Sequence, residues 1–213
     1  MLLVLDAVLV AVHVFGYYGL NVAGEKWSVS FDGGYPEFFQ YVKFGWAVLL
    51  LVAVAWLRRA WSLLVWVPLF AFLALDDMLK IHERYGKQMP GVGALADLTG
   101  LGEQELGELL LMVAVGLAAL ALMALGWVLG NADVWATLLD VALLVALLAF
   151  FGVGVDLLHS GVGGGWATVV AGVVEDGGEM VALSLIVAYL FHAASGHDSS
   201  RILARLRRPL TPR

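Results

Sequence analysis

The chain has 213 residues, of which 62% are hydrophobic and only 14% charged, and its formal net charge is −6. Water-soluble domains carry about 25% charged residues, so an ordinary soluble protein is excluded, and an acidic chain with no basic stripe is no nucleic-acid binder. The lack of cysteine removes disulfides, thiolate metal sites and cysteine nucleophiles.

The hydrophobic residues fall in runs of about twenty, the length that crosses roughly 30 Å of hydrocarbon at 1.5 Å per residue. Six spans are predicted, at about 2–20, 38–57, 62–83, 105–129, 134–159 and 173–193. The expected fold is all-α: a single polytopic transmembrane domain over residues 1–200, followed by a basic cytoplasmic tail, 201–213. The first run contains Asp6 and His13 and has no basic start, so it reads as a span and not as a cleaved signal. His13, alone in mid-span, reads as a packed core histidine. Arg58-Arg59 makes a tight turn between spans two and three, and "GNAD" (130–133) makes another between spans four and five. The connections 21–37, 84–104 and 160–172 are longer and Gly-rich.

An even number of spans puts both termini and both tight turns on one side of the membrane. That side holds Arg58, Arg59, Arg201, Arg205, Arg207, Arg208 and Arg213, seven of the twelve basic residues, and the positive-inside rule makes it the cytoplasm. The expected location is the cell membrane. Apart from Asp6, Asp133, Asp140 and Asp198, the acids lie in outer loops or outer helix ends. Tyr17, Tyr18, Trp27, Tyr35 and Tyr41 crowd the same side as an interfacial belt.

Several of these acids fall inside apolar runs, where a carboxylate costs roughly 2.5–3.5 kcal/mol on insertion scales. Span three ends with "LDDMLKIHERYG", carrying Asp76, Asp77, His82 and Glu83. Span five ends with "GVDLLHSG", carrying Asp156 and His159. Span four opens with "EQELGELLLM", which brings Glu105 and Glu108, and span six with "VEDGGEMVAL", which brings Glu175, Asp176 and Glu179. Alignment of the two openings pairs Glu105 with Asp176 and Glu108 with Glu179. The last four spans therefore read as two repeated helical hairpins forming a four-helix bundle.

Spacing says which groups converge. Glu175 and Glu179 share a helix face at i,i+4, and Asp156 and His159 do so at i,i+3. Asp76 and Glu83, seven apart, also share a face, with His82 to one side. The four helix ends are expected to form an outward-opening cup of acids and histidines. The nearby bases, Lys80, Arg84 and Lys87, are too few to neutralise it. Facing carboxylates raise one another's pKa, and a divalent metal would relieve this; carboxylate with imidazole suits Zn, Fe or Mn. The candidate metal ligands are Asp76, Asp77, His82, Glu83, Glu108, Asp156, His159, Glu175, Asp176 and Glu179. Glu103 and Glu105, in the first turn of span four, read equally well as helix caps. Gly177 and Gly178 would let a neighbouring helix or ligand approach closely.

"FLALDDMLKIHE" resembles the "LDE…HE" helix end of a group of uncharacterised bacterial multi-pass membrane proteins, and "VEDGGEMVALSLIVAYL" resembles their downstream "EEg-EM" helix. Asp77 and Asp176 stand where Glu is usual, keeping the charge and shortening the reach. The resemblance implies a shared polar site and no particular reaction.

Three functions fit the sequence. The first is a metal-dependent membrane enzyme acting on a lipid or other apolar substrate. The second is a cation or proton transporter using the acidic cup, for which the inner half offers only Asp6, His13, Asp140 and His192 as a continuing path. The third is an accessory subunit whose acids face a membrane-protein partner.

Overall fold

The computed structural model describes residues 1–86, 88–89, 91–100, 102–159 and 165–196; the predicted tail, 201–213, and Lys87 lie outside them. Six helical stretches are long and apolar enough to cross a bilayer: Leu2–Gly19, Tyr35–Leu57, Trp61–Leu79, Glu103–Leu129, Val134–Leu158 and Trp166–Ala194. The chain is an all-α, multi-pass membrane protein.

Helix α1 (Leu2–Ala11) runs on as a π-helix, Val12–Gly19. Helix α2 (Tyr35–Leu57) carries Pro36 in its first turn, where a missing N–H breaks no helical bond. A 3-10 turn, Trp61–Trp66, leads into α3 (Val67–Leu79), which also has a proline, Pro68, at its start. Lys80 then adopts left-handed backbone with φ 51°, ends α3 and turns the chain into α4 (Ile81–Gly86). Next come α5 (Val92–Thr99) and α6 (Glu103–Leu129). Helix α7 (Ala132–Ala149) continues as a π-helix, Phe150–Val155, and then as α8 (Asp156–His159). Helix α9 (Trp166–Ala194) closes the bundle.

Two boundaries differ from the sequence expectation. Span three stops at Leu79, so His82 and Glu83 belong to a new helix and Asp76 and Glu83 do not share a face. Span six begins at Trp166, about two turns early at 3.6 residues per turn. Glu175, Asp176 and Glu179 therefore lie well inside α9 and not in its first turns.

The core sits where α2, α3, α7 and α9 meet. Ala47, Leu51, Val54 and Ala55 of α2 follow the i, i+4, i+7, i+8 stripe of one helix face and are fully buried. Ala47, Leu51 and Val54 pack in one cluster with Trp66, Phe70, Leu138, Leu183, Ile186 and Leu190. Lipid tails are as apolar as leucine, so close packing holds such helices together. Two glycines of α9 serve it: a Cβ at Gly178 would overlap the Phe151 ring, and one at Gly177 would meet Val10 at 3.3 Å. Helix α9 is central, with 50% of its apolar window buried, whereas α6 is peripheral, with 6%. The two returning helices that the sequence pairs thus occupy unlike surroundings.

A buried charge pair joins α1, α2 and α9. Lys43 Nζ lies 3.1 Å from Asp6 Oδ1, donates to the Met180 carbonyl at 2.8 Å and stands 3.4 Å from Ser184 Oγ. Ser184 Oγ donates to Asp6 Oδ2 at 2.5 Å. Neither charged side chain has any exposed surface. Isolated, each ion would be costly in hydrocarbon; paired and hydrogen-bonded, they fix the register of three helices. His13 is also a core residue, its Nδ1 accepting the Val29 N–H at 3.2 Å, as expected of a packed histidine.

Candidate functional site

A cavity of about 380 Å³ opens among α3, α4, α6, α7 and α9, within the roughly 300–1,000 Å³ usual for small-molecule sites. One end of it is acidic. Asp76 and Asp77 enter from the last turn of α3, His82 from α4, Glu105 and Glu108 from α6, Asp156 from α8 and Glu179 from α9. The rest is apolar: Leu69 and Leu73 of α3, Met112, Val115 and Ala119 of α6, and Val145 and Leu148 of α7. Among the described residues no Lys or Arg lines it.

The break at Lys80 builds the best-defined part of the site. It folds α4 back so that Asp76 receives the His82 backbone N–H on Oδ1 at 2.9 Å and meets His82 Nδ1 with Oδ2 at 2.8 Å. Asp76 is buried and His82 partly so. The hydrogen bond to Asp76 raises the His82 pKa above its ordinary value; burial opposes this, and the charges of Asp76, Glu108 and Glu83 reinforce it. With Nδ1 engaged, Nε2 is the ring atom left to exchange a proton or take a ligand.

Glu179 owes its place to a glycine in the π-helical stretch. A Cβ at Gly152 would overlap the Glu179 carboxylate, so only the bare backbone lets that side chain lie across the turn. π-Helical turns are frequent at functional sites. Glu179 is hydrogen-bonded to Gln40 and within electrostatic reach of Asp77, Asp176 and Glu175. Glu108 accepts from Gln104 Nε2 at 2.8 Å.

The cavity gathers Asp76, Asp77, His82, Glu108, Asp156 and Glu179 from the ten residues that the sequence offers. Glu83 is not among its lining residues and stands 3.4 Å from Lys80, because the Lys80 break turns it away. Asp176 accepts a hydrogen bond from Ser30 and faces the α1–α2 connection. Glu175 lies about 6 Å nearer the start of α9 than Glu179 at 1.5 Å per residue and does not line the cavity. The side chain of His159 lies outside what the structure describes. Glu105 lines the cavity and also accepts the Gly102 N–H at 3.2 Å, combining the cap with a place in the site.

The sequence reading also overlooked Lys43, a base within electrostatic reach of Glu179. Its signal is a lone lysine inside an apolar run, a group that demands a buried partner. Among the described residues, no group of three or more His, Asp or Glu side chains is arranged to hold a metal ion. The carboxyls stand at one end of the cavity without closing on one point.

Neither the curated proteins nor the solved structures compared with the chain give a match. A family sequence model matches residues 1–193, and the chain belongs to that family, described as a domain of unknown function, DUF8692.

Proposed function

We propose that this protein is an integral membrane enzyme that acts on a lipid or other apolar small molecule in the acidic pocket, with His82 and Asp76 as its acid–base pair. The observation that carries this reading is a single cavity in which carboxyls from four helices stand over an apolar floor. The floor suits an apolar chain, and the acidic end suits the polar group where chemistry occurs. Asp76 holds the imidazole in one orientation, and His82 Nε2 gives or takes the proton. The arginine placement argues that the pocket opens to the outside of the cell.

The test follows wild type and His82→Gln, incubated with total membrane lipid in mixed micelles, by untargeted mass spectrometry. The wild type is expected to convert a lipid class that His82→Gln leaves unchanged. Identical lipid profiles from the two proteins contradict the enzyme reading.

A divalent metal, Zn, Fe or Mn, is the second reading, favoured by one observation. A carboxylate on one ring nitrogen is how proteins orient a metal-binding imidazole. It ranks second because the described carboxyls do not converge. Metal analysis of purified protein decides it: about one equivalent per chain, lost in Glu179→Gln, supports the metal, and a substoichiometric content contradicts it. Transport ranks lower, since Asp6, which would continue an inward path, is held by Lys43 and Ser184.

A further inference from the structure

Helix α6 approaches the bundle most closely near its two ends. Near the acidic end, Gly107 lies directly on Gly86 of α4, where a Cβ would overlap the Gly86 carbonyl. At the opposite end, a Cβ at Gly126 would meet Val65 Cγ2 at 2.9 Å and Leu138 Cδ2 at 3.1 Å. The two contacts are about 28 Å apart along the helix at 1.5 Å per residue. Leu106, Gly107 and Gly126 are the buried residues of α6, so every buried position is at one of these contacts.

Between them the inward stripe of α6 faces the cavity. Leu109, Met112, Val115 and Ala119 line it at helical spacing and are only half-buried. Gly116 of α6 and Ala149 of α7 line the same cavity and are exposed. The apolar part of the pocket therefore reaches the surface between α6 and α7, at a depth occupied by lipid tails. At its other end are six carboxyl groups and one imidazole, with no lining Lys or Arg among the described residues.

We propose that the occupant enters sideways from the bilayer between α6 and α7, and that it is a membrane amphiphile with a positively charged head and an apolar tail. This rests on the reading of the pocket as the functional site. The tail lies along the half-buried stripe of α6 and never has to leave hydrocarbon. The head meets carboxylates at the acidic end, where positive charge is favoured and an anionic head is repelled. The glycine contacts hold α6 as a fixed bridge over the entrance.

The experiment uses the full chain in lipid nanodiscs and two photoreactive probes with one alkyl-diazirine chain, one ending in trimethylammonium and the other in sulfonate. Cross-linked positions are read by peptide mass spectrometry. The ammonium probe is expected to mark Met112 and Val115 as well as the lipid-facing Val113, Leu117 and Leu120. The sulfonate probe is expected to mark the lipid-facing residues alone. In Ala119→Trp, which fills the floor, the ammonium marks at Met112 and Val115 should disappear while those on the lipid face persist. If that variant does not fold, the comparison of the two probes on wild type decides alone. Equal marking of both faces by both probes overturns the proposal, since this is what surrounding lipid would do. A parallel measurement separates the route from the pocket: thermal stabilisation by the ammonium amphiphile, lost in Glu179→Gln. Stabilisation without marks at Met112 and Val115 overturns the sideways route and leaves the pocket standing. Absence of both overturns the two together.

Discussion

Lys43 and Asp6 show how strongly one residue can constrain a bundle in which water supplies no driving force. Each is fully buried, and each satisfies the other. Lys43→Met leaves the Asp6 carboxylate buried without its cation, and breaking such a pair costs about 3–5 kcal/mol. Lys43→Met should therefore lower thermal stability in detergent sharply, and Lys43→Met with Asp6→Leu should recover most of the loss. Equal destabilisation by the single and double variants would show that the pair does not hold the three helices. His82 gives a pH dependence with a definite sign. Its bond to Asp76 raises its pKa in the folded state above the ordinary value of about 6.5. The folded protein thus binds the proton more tightly, and the stability gained is complete below about pH 6.5 and declines as pH rises through the raised value. Unfolding midpoints across this window should fall with pH in wild type and fall less in His82→Gln. Superimposable profiles would contradict the Asp76–His82 bond.

At the scale of elements, the π-helical stretch Phe150–Val155 and the break at Lys80 matter most, because each brings a side chain to the pocket. Gly152→Ala puts a methyl where the Glu179 carboxylate lies, and that carboxylate is the movable end of a flexible side chain. The expected result is a folded protein with an unchanged helical circular dichroism spectrum that loses ligand binding to the same extent as Glu179→Gln. Retained binding would mean that Glu179 does not act from this position. The spans were legible because runs of about twenty apolar residues have few other uses. The break at Lys80 was not, since "DDMLKIHERY" has no Gly or Pro and reads as one continuous helix. That single left-handed residue separates Glu83 from the site and brings His82 onto Asp76. The early start of α9 was hidden by the Gly-rich approach to Trp166, which reads as loop. Glu105 was visible as a cap, and composition gives no sign that the same carboxyl also lines a cavity.

For the whole molecule, the six spans and the acidic pocket define two ends of unlike chemistry. That Asp76, Asp77, Glu108, Asp156 and Glu179 line one cavity follows from the helix ends on which they stand, since alternate spans reach the same side. The depth and apolar floor of the cavity were not legible in the sequence, because they depend on how closely α6 approaches the bundle between its two glycine contacts. The arginine placement predicts cytoplasmic termini, so tags at Met1 and Arg213 should resist external protease in intact cells, and cleavage of either would reverse the orientation. The most direct test of the acidic pocket as the functional site is native mass spectrometry of wild type and Glu179→Gln purified side by side. Wild type is expected to carry a bound small amphiphile of defined mass that folded Glu179→Gln lacks; the same bound molecules in both would contradict the acidic pocket as the functional site.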